Sequence, residues 1–227
     1  MDGICSTTLV GSSRDIVADA IASVATWVDD CLLIDTGADD GSIEVAVAAA
    51  GDKAVVREFT WCNDFSAARN FALDEATALG AAWSVTIDAD ERLLVGDLDI
   101  RGALGTTTAN CMLVVDAART YAKERFFRLP TPARFTGPTH ESFPSHEVGA
   151  EVLDGVRFAE LSKDADTVVA KRERDVRILE VHTAAHPEAP RWWYYLGDAL
   201  QGLGRLDDAI AAYDRCQVLR GWPEEAA

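Results

Sequence analysis

The sequence predicts an α/β protein, a mostly parallel sheet with helices on both faces followed by a small all-α appendage. Two observations carry this. Short apolar, β-branched runs alternate with helical stretches through residues 5–88, the arithmetic of repeated βαβ units. Beyond residue 165 the strand signals stop and charged, helix-forming segments separated by Pro and Gly take over. The expected boundary places the sheet domain at residues 1–165 and the helical tail at 166–227.

Strands are expected at residues 5–10, 31–35, 54–56 and 83–87, and helices at 15–27, 42–50 and 65–79. In the third helix Phe65, Ala68, Ala72, Ala76 and Leu79 recur at helical spacing, so one face should pack on the sheet. Past residue 95 the alternation gives way to strands at 111–115 and 125–129, then to a Pro- and Gly-containing stretch, 130–149, expected to form an active-site loop. A charged helix runs from Lys171 to just before Pro187, and two more follow at 190–203 and 207–219 around a turn at Gly204.

Right-handed crossovers build a parallel sheet whose ligands gather at the carboxyl ends of the strands. Asp35, the loop 36–41 and the acidic run Asp88, Asp90 and Glu91 all fall there. Two acids one residue apart at a strand end can hold a hard divalent cation and leave positions open for diphosphate oxygens. The same spacing also suits a solvated acidic turn.

Composition narrows the partners. With 21 Lys and Arg against 38 Asp and Glu the formal net charge is -17, which repels nucleic acid and anionic membrane surfaces. A nucleotide diphosphate is repelled too, so a site for one needs a bound cation and nearby Arg. At 48% hydrophobic residues, the chain can bury a real core. No run reaches the length of a membrane span, and residues 1–10 lack a signal peptide's basic start and apolar stretch, so a cytoplasmic protein is expected. Cys5, Cys31, Cys62, Cys111 and Cys216 are odd in number and form no Cys-x-x-Cys pair, which predicts reduced core residues.

Three strings in order carry a family resemblance. They are Leu33-Ile34-Asp35-Thr36-Gly37-Ala38-Asp39-Asp40-Gly41-Ser42, then Phe59-Thr60-Trp61-Cys62-Asn63-Asp64-Phe65-Ser66-Ala67-Ala68-Arg69-Asn70, then Ile87-Asp88-Ala89-Asp90-Glu91. Together they resemble the family-2 glycosyltransferases of GT-A fold, especially a bacterial subgroup with tetratricopeptide-like helices after the catalytic domain. Gly137-Pro138-Thr139-His140-Glu141 is similar to that subgroup's Gly-x-x-His-Glu, and Lys171-Arg172-Glu173-Arg174-Asp175 to the start of its tail.

The resemblance implies inverting transfer of a hexose from a UDP-sugar to an acceptor, protein, peptide or glycan, with Mn2+ or Mg2+. It places the nucleotide at Thr8, Val10, Asp35, Gly37, Arg69, Asp88 and Ala89, with Asp35 accepting from the uracil ring and Asp88 near the ribose. Asp90 would be the direct metal ligand, joined by Asp88 and Glu160, and Glu141 with His140 would be catalytic. Each assignment has a plainer counterpart: Asp35 as a turn cap, Arg69 in a surface ion pair, Glu141 held by Arg134, Glu160 as an ordinary surface acid.

Two departures stand out. Gly11-Ser12-Ser13-Arg14 replaces the family's Lys-Asn-Glu turn, and 157–161 lacks the subgroup's His, leaving Glu160 to supply an oxygen. A non-catalytic module of the same fold, binding a protein through its tail, is the alternative reading.

Other motifs fail. His140 and His146 are six apart with Pro144 between them, so they cannot share a helical face as zinc hydrolysis requires. His182 and His186 sit in a last helical turn, where cations favour the dipole. No phosphate-loop, Gly-x-Gly-x-x-Gly or Gly-x-Ser-x-Gly pattern is present. Trp193, Leu196, Gly197, Leu200, Gly204, Ala209 and Tyr213 resemble one tetratricopeptide repeat. A lone repeat builds no peptide groove, so it should pack on the catalytic domain or on a second subunit, as in a homodimer. The aromatic run Trp192 to Tyr195 suits core packing and could also stack on a sugar.

Overall fold

A computed structural model describes residues 3–107, 109–116 and 121–220. The end of the expected helical tail, 221–227, lies outside them. The chain divides into two compact units: Met1–Cys62, Ser66–Thr136 and Ser142–Ser162 form the first, and Asn63–Phe65, Gly137–Glu141 and Lys163–Ala227 the second.

In the first unit β1 (Ile4–Val10), β2 (Asp30–Asp35), β3 (Ala54–Glu58) and β4 (Trp83–Thr86) are parallel, linked by α1 (Arg14–Ala25), α2 (Ser42–Ala50) and α3 (Phe65–Ala78). These match the βαβ expectation to within a few residues. The chain continues through β5 (Glu91–Val95), α4 (Ile100–Thr106), β6 (Asn110–Asp116), β7 (Tyr121–Arg128), α5 (Ser145–Val148) and β8 (Ala150–Glu160). All eight strands form one sheet, ordered β3-β2-β1-β4-β7-β6-β8-β5. Strand order reverses between β1 and β4, so a crevice opens at their carboxyl ends. There Ile87 N–H donates to Thr7 O (3.1 Å) and Thr36 N–H to Val10 O (3.0 Å).

One face of the sheet buries Val17, Ile21 and Val24 of α1 against Leu33, Val85, Leu113 and Phe158. The other buries Ala72, Leu73 and Ala76 of α3 with Phe127, Phe135 and Phe143, whose rings meet edge-on at 4.8–5.2 Å. Small residues along α3 let it lie close to the strands, as their helical spacing predicts.

The alternation readable to residue 88 did not reveal β5, α4 or β8. In β8 only Val156 and Phe158 are buried, and register shifts interrupt its pairing with β6, so it offers little apolar alternation. The stretch 130–149 is mostly irregular, as expected, with the short α5 and an isolated bridge between Thr136 and Ser142.

The second unit contains α6 (Ala165–Ala185), α7 (Pro190–Gly202) and α8 (Leu206–Val218). Helix α6 begins before Lys171 because Asp164 caps it, its Oδ1 accepting from Thr167 N–H at 2.7 Å. Val176, Leu179, Leu196, Ala199, Leu200, Ala209 and Ala212 make its core. Gly197 faces the Tyr213 ring so closely that any Cβ would run into it. Among the described residues no helix is long and apolar enough to cross a membrane.

Candidate functional site

The acidic turn is built by the residue after it. Glu91 is not a solvated acid but the first residue of β5, only 3% exposed. Its carboxylate accepts from Asp88 N–H (3.0 Å) and pairs directly with Arg125 on β7, while Glu91 N–H returns to Asp88 O (3.0 Å). Asp88, Ala89 and Asp90 are thereby held in a closed turn. Ala89 O also accepts from Arg92 (3.1 Å).

Asp88 faces cations from two elements. Arg69 of α3, 7% exposed, donates from Nη2 to Asp88 Oδ1 at 2.9 Å, and Arg125 Nη2 lies 3.9 Å from Oδ2. Burial alone would raise the Asp88 pKa, but Arg69 and Arg125 outweigh it and hold the carboxyl well below its usual range. Glu91 shows the opposite balance, since burial and the charge of Asp88 push it up to about 7 against Arg125. Arg69 is buried and Asp88 half-buried, so this is not the surface pair that was the plainer expectation.

Glu160 comes to this end of the sheet through strand pairing. It is the register partner of Glu91 in the antiparallel β5–β8 ladder, and Leu161 N–H donates to Asp90 O at 2.7 Å. Burial, then the negative charge of Glu160, raises the pKa of Tyr121. Asp88, Asp90 and Glu160 therefore gather around one strand end. Among the described residues no three His, Cys, Asp or Glu side chains form a ready-made metal cage. The donor set still fits a hard cation: Mg2+ commonly takes one or two carboxylates and completes its shell with phosphate oxygens and water.

Across the crevice, Asp35 Oδ1 accepts from Gly37 N–H (2.9 Å) and Ala38 N–H (3.0 Å). Asp35 therefore performs the turn-capping role, and Gly37 has φ +99, the left-handed region that favours glycine. The turn replacing Lys-Asn-Glu is bonded to this loop: Ser12 Oγ donates to Asp39 (2.9 Å), Ser13 N–H to Ser42 Oγ (2.8 Å) and Arg14 Nη1 to Asp40 O (3.0 Å). Thr8 and Val10 are buried within β1, and the Val10 carbonyl is taken by Thr36. Among the described residues the Thr8 hydroxyl has no hydrogen-bond partner.

His140 and Glu141 belong to the helical unit. His140 has φ +49, its ring stacks on Tyr195 at 4.2 Å and 4°, and burial lowers its pKa. Arg134, the expected holder of Glu141, pairs with Asp74 at 2.9 Å. His182 lies in the last turn of α6, where burial, then His186, lowers its pKa, and its ring meets Trp192 edge-on at 5.1 Å. Cys5, Cys31, Cys111 and Cys216 are buried, but Cys62 is exposed, contrary to the core expectation.

Arg125 and Lys123 escaped the sequence reading. They share one face of β7, two residues apart, and both act on Asp88. In so acidic a chain, a strand with cations at alternate positions was the available signal.

This mixed sheet, with helices on both faces, is the GT-A fold of glycosyltransferases. The chain superposes on the crystal structure of S. aureus TarS 1-349 with a TM-score of 0.56 and 13% identity, covering 96% of this chain and 90% of that one. In sequence it is 28% identical to a TPR repeat-containing protein of Synechococcus elongatus, over 96% of this chain and 57% of the relative. It is 22% identical to the SPbeta prophage-derived glycosyltransferase SunS of Bacillus subtilis, over 86% and 48%. The chain thus spans about half the length of the curated relatives it matches. No protein-family model matches.

Proposed function

We propose that the protein is a metal-dependent, inverting glycosyltransferase that moves a hexose from a UDP-sugar to an acceptor. The observation that carries this is the Asp88–Glu91 turn, fixed at the topological switch point of a GT-A fold and faced by Arg69, Arg125 and Glu160. The glycosyltransferase names of SunS and the fold of TarS support the same class.

Asp90 and Glu160 would hold Mn2+ or Mg2+, which when bound neutralises a diphosphate that the chain's charge of -17 repels. Asp88, held ionised by two guanidiniums, is suited to accept from ribose hydroxyls, with Ala89 beside it in the turn. Gly37 and the second oxygen of Asp35 would meet the uracil, and Thr8 and Val10 support that edge from inside β1. Arg69 adds positive charge as the diphosphate departs. Glu141 is the proposed general base: it takes the acceptor hydroxyl's proton as that oxygen bonds the anomeric carbon, the bond to the diphosphate breaks, and UDP leaves.

A thermal-shift screen of UDP, UDP-sugars, CDP and GDP, with and without manganese, tests the reading. Ligand at about 100 times its Kd stabilises by about 2.7 kcal/mol. UDP or a UDP-sugar should raise the midpoint only with the cation. No shift with any uridine nucleotide would refute it.

A further inference from the structure

The helical unit takes in Gly137–Glu141, the segment carrying the proposed base, and binds it at every turn. At Gly137, with φ +108, the Trp192 ring fills the space a Cβ would need. Pro138 O accepts from Phe65 N–H at 2.9 Å, and Arg174 lies 4.8 Å over the Phe65 ring. Thr139, 4% exposed, meets Asp175, 3% exposed, at 3.3 Å, and Asp175 is held by Arg174 at 2.8 Å.

His140 is gripped on two sides. Tyr195 stacks on its ring, and Arg191 donates to its carbonyl at 2.7 Å while lying over the rings of both Trp192 and Tyr195. A non-glycine residue at φ +49 persists only where its surroundings over-determine it. Trp192 and Tyr195 of the aromatic run are therefore occupied by this segment.

We propose that Tyr195 and Arg191 are positioning residues for the transfer reaction: α7 clamps His140 in a left-handed conformation and so sets the direction in which Glu141 leaves the segment. This rests on Glu141 being the base, and misplacing a reacting group by about 1 Å can cost about a hundredfold in rate.

A double-mutant cycle tests it, with UDP release from UDP-glucose, UDP-galactose and UDP-GlcNAc as the activity and UDP affinity by calorimetry as the control. Tyr195→Leu should lower turnover by at least tenfold with UDP affinity within about twofold, and Tyr195→Phe, which keeps the stacking ring, should restore it. In a Glu141→Gln background the Tyr195→Leu loss should largely vanish, since both act through one group. Full additivity, or normal turnover in Tyr195→Leu, would overturn the clamp. Arg191→Met repeats the test should Tyr195→Leu not fold. Normal turnover in Glu141→Gln alone would instead remove the base, and losses in Tyr195→Leu would then have no bearing on it. Proton NMR of His140 reads the clamp without any turnover: its pKa should move back toward about 6.5 in Tyr195→Leu, and an unmoved pKa would count against it.

Discussion

Arg125 and Glu91 form a direct ion pair inside the sheet, their side chains 2% and 4% exposed, and the same carboxylate receives the Asp88 N–H. One buried pair thus shapes the turn that carries the proposed nucleotide and metal ligands. Removing one partner leaves an uncompensated buried charge. Arg125→Met should destabilise the protein by about 3 kcal/mol, and Arg125→Met with Glu91→Leu by clearly less, because the orphaned charge is gone. Urea denaturation of the two variants checks this, and equal losses would deny that the pair is the cause.

The histidines predict a pH dependence. Burial lowers the pKa of both His140 and His182. A group depressed on folding binds fewer protons in the native state, so its contribution is complete above the unfolded value of about 6.5 and is lost as pH falls through the folded value. Glu91 runs the other way: raised from 4.5 to about 7, it favours the fold at low pH and loses that effect as pH rises through about 7. The histidine part is isolated by comparison with a His140→Asn, His182→Asn variant, Asn being tolerant of the left-handed conformation at 140. Between pH 7.5 and 5.5 the unmodified protein should lose more thermal stability than the variant. Parallel curves would show that the two rings titrate normally.

The base-reading role proposed for Asp35 carries a prediction of its own. A carboxylate can accept from the uracil ring N–H, whereas cytosine presents an acceptor at that edge and leaves it unpaired. UDP should outcompete CDP for the site in an equilibrium displacement assay, by about tenfold for a lost hydrogen bond to a charged group. Equal displacement would leave Asp35 with only the turn-capping role its contacts with Gly37 and Ala38 already show.

The parallel half of the fold was legible because each strand there is an unbroken apolar run and each helix has a small-residue face, as in β2 and α3. The second half was less so, since β8 buries only two of its side chains and draws its pairing from two distant strands. In the site, the acids were visible but their partners were not. Glu91 follows a strand and reads as solvent-facing, and only the fold reveals Arg125, 34 residues later, beneath it. Glu160 was nameable only as a substitute for a missing His, and its place opposite Glu91 depends on a ladder that no local pattern announces. In the tail, Gly197 and Tyr213 both belong to the repeat-like pattern, but that they meet at a helix crossing is seen only in the fold.

In the proposed reaction Asp90 holds a cation that lets this acidic chain accept a diphosphate. Calorimetry of UDP with Asp90→Asn and with the unmodified protein, each with and without manganese, tests that most directly. Tight binding is expected only for the unmodified protein with manganese, with affinity at least about tenfold weaker in the variant, as loss of one carboxylate from the proposed metal site implies. Undiminished affinity in Asp90→Asn, or equal affinity with the metal removed, would contradict it.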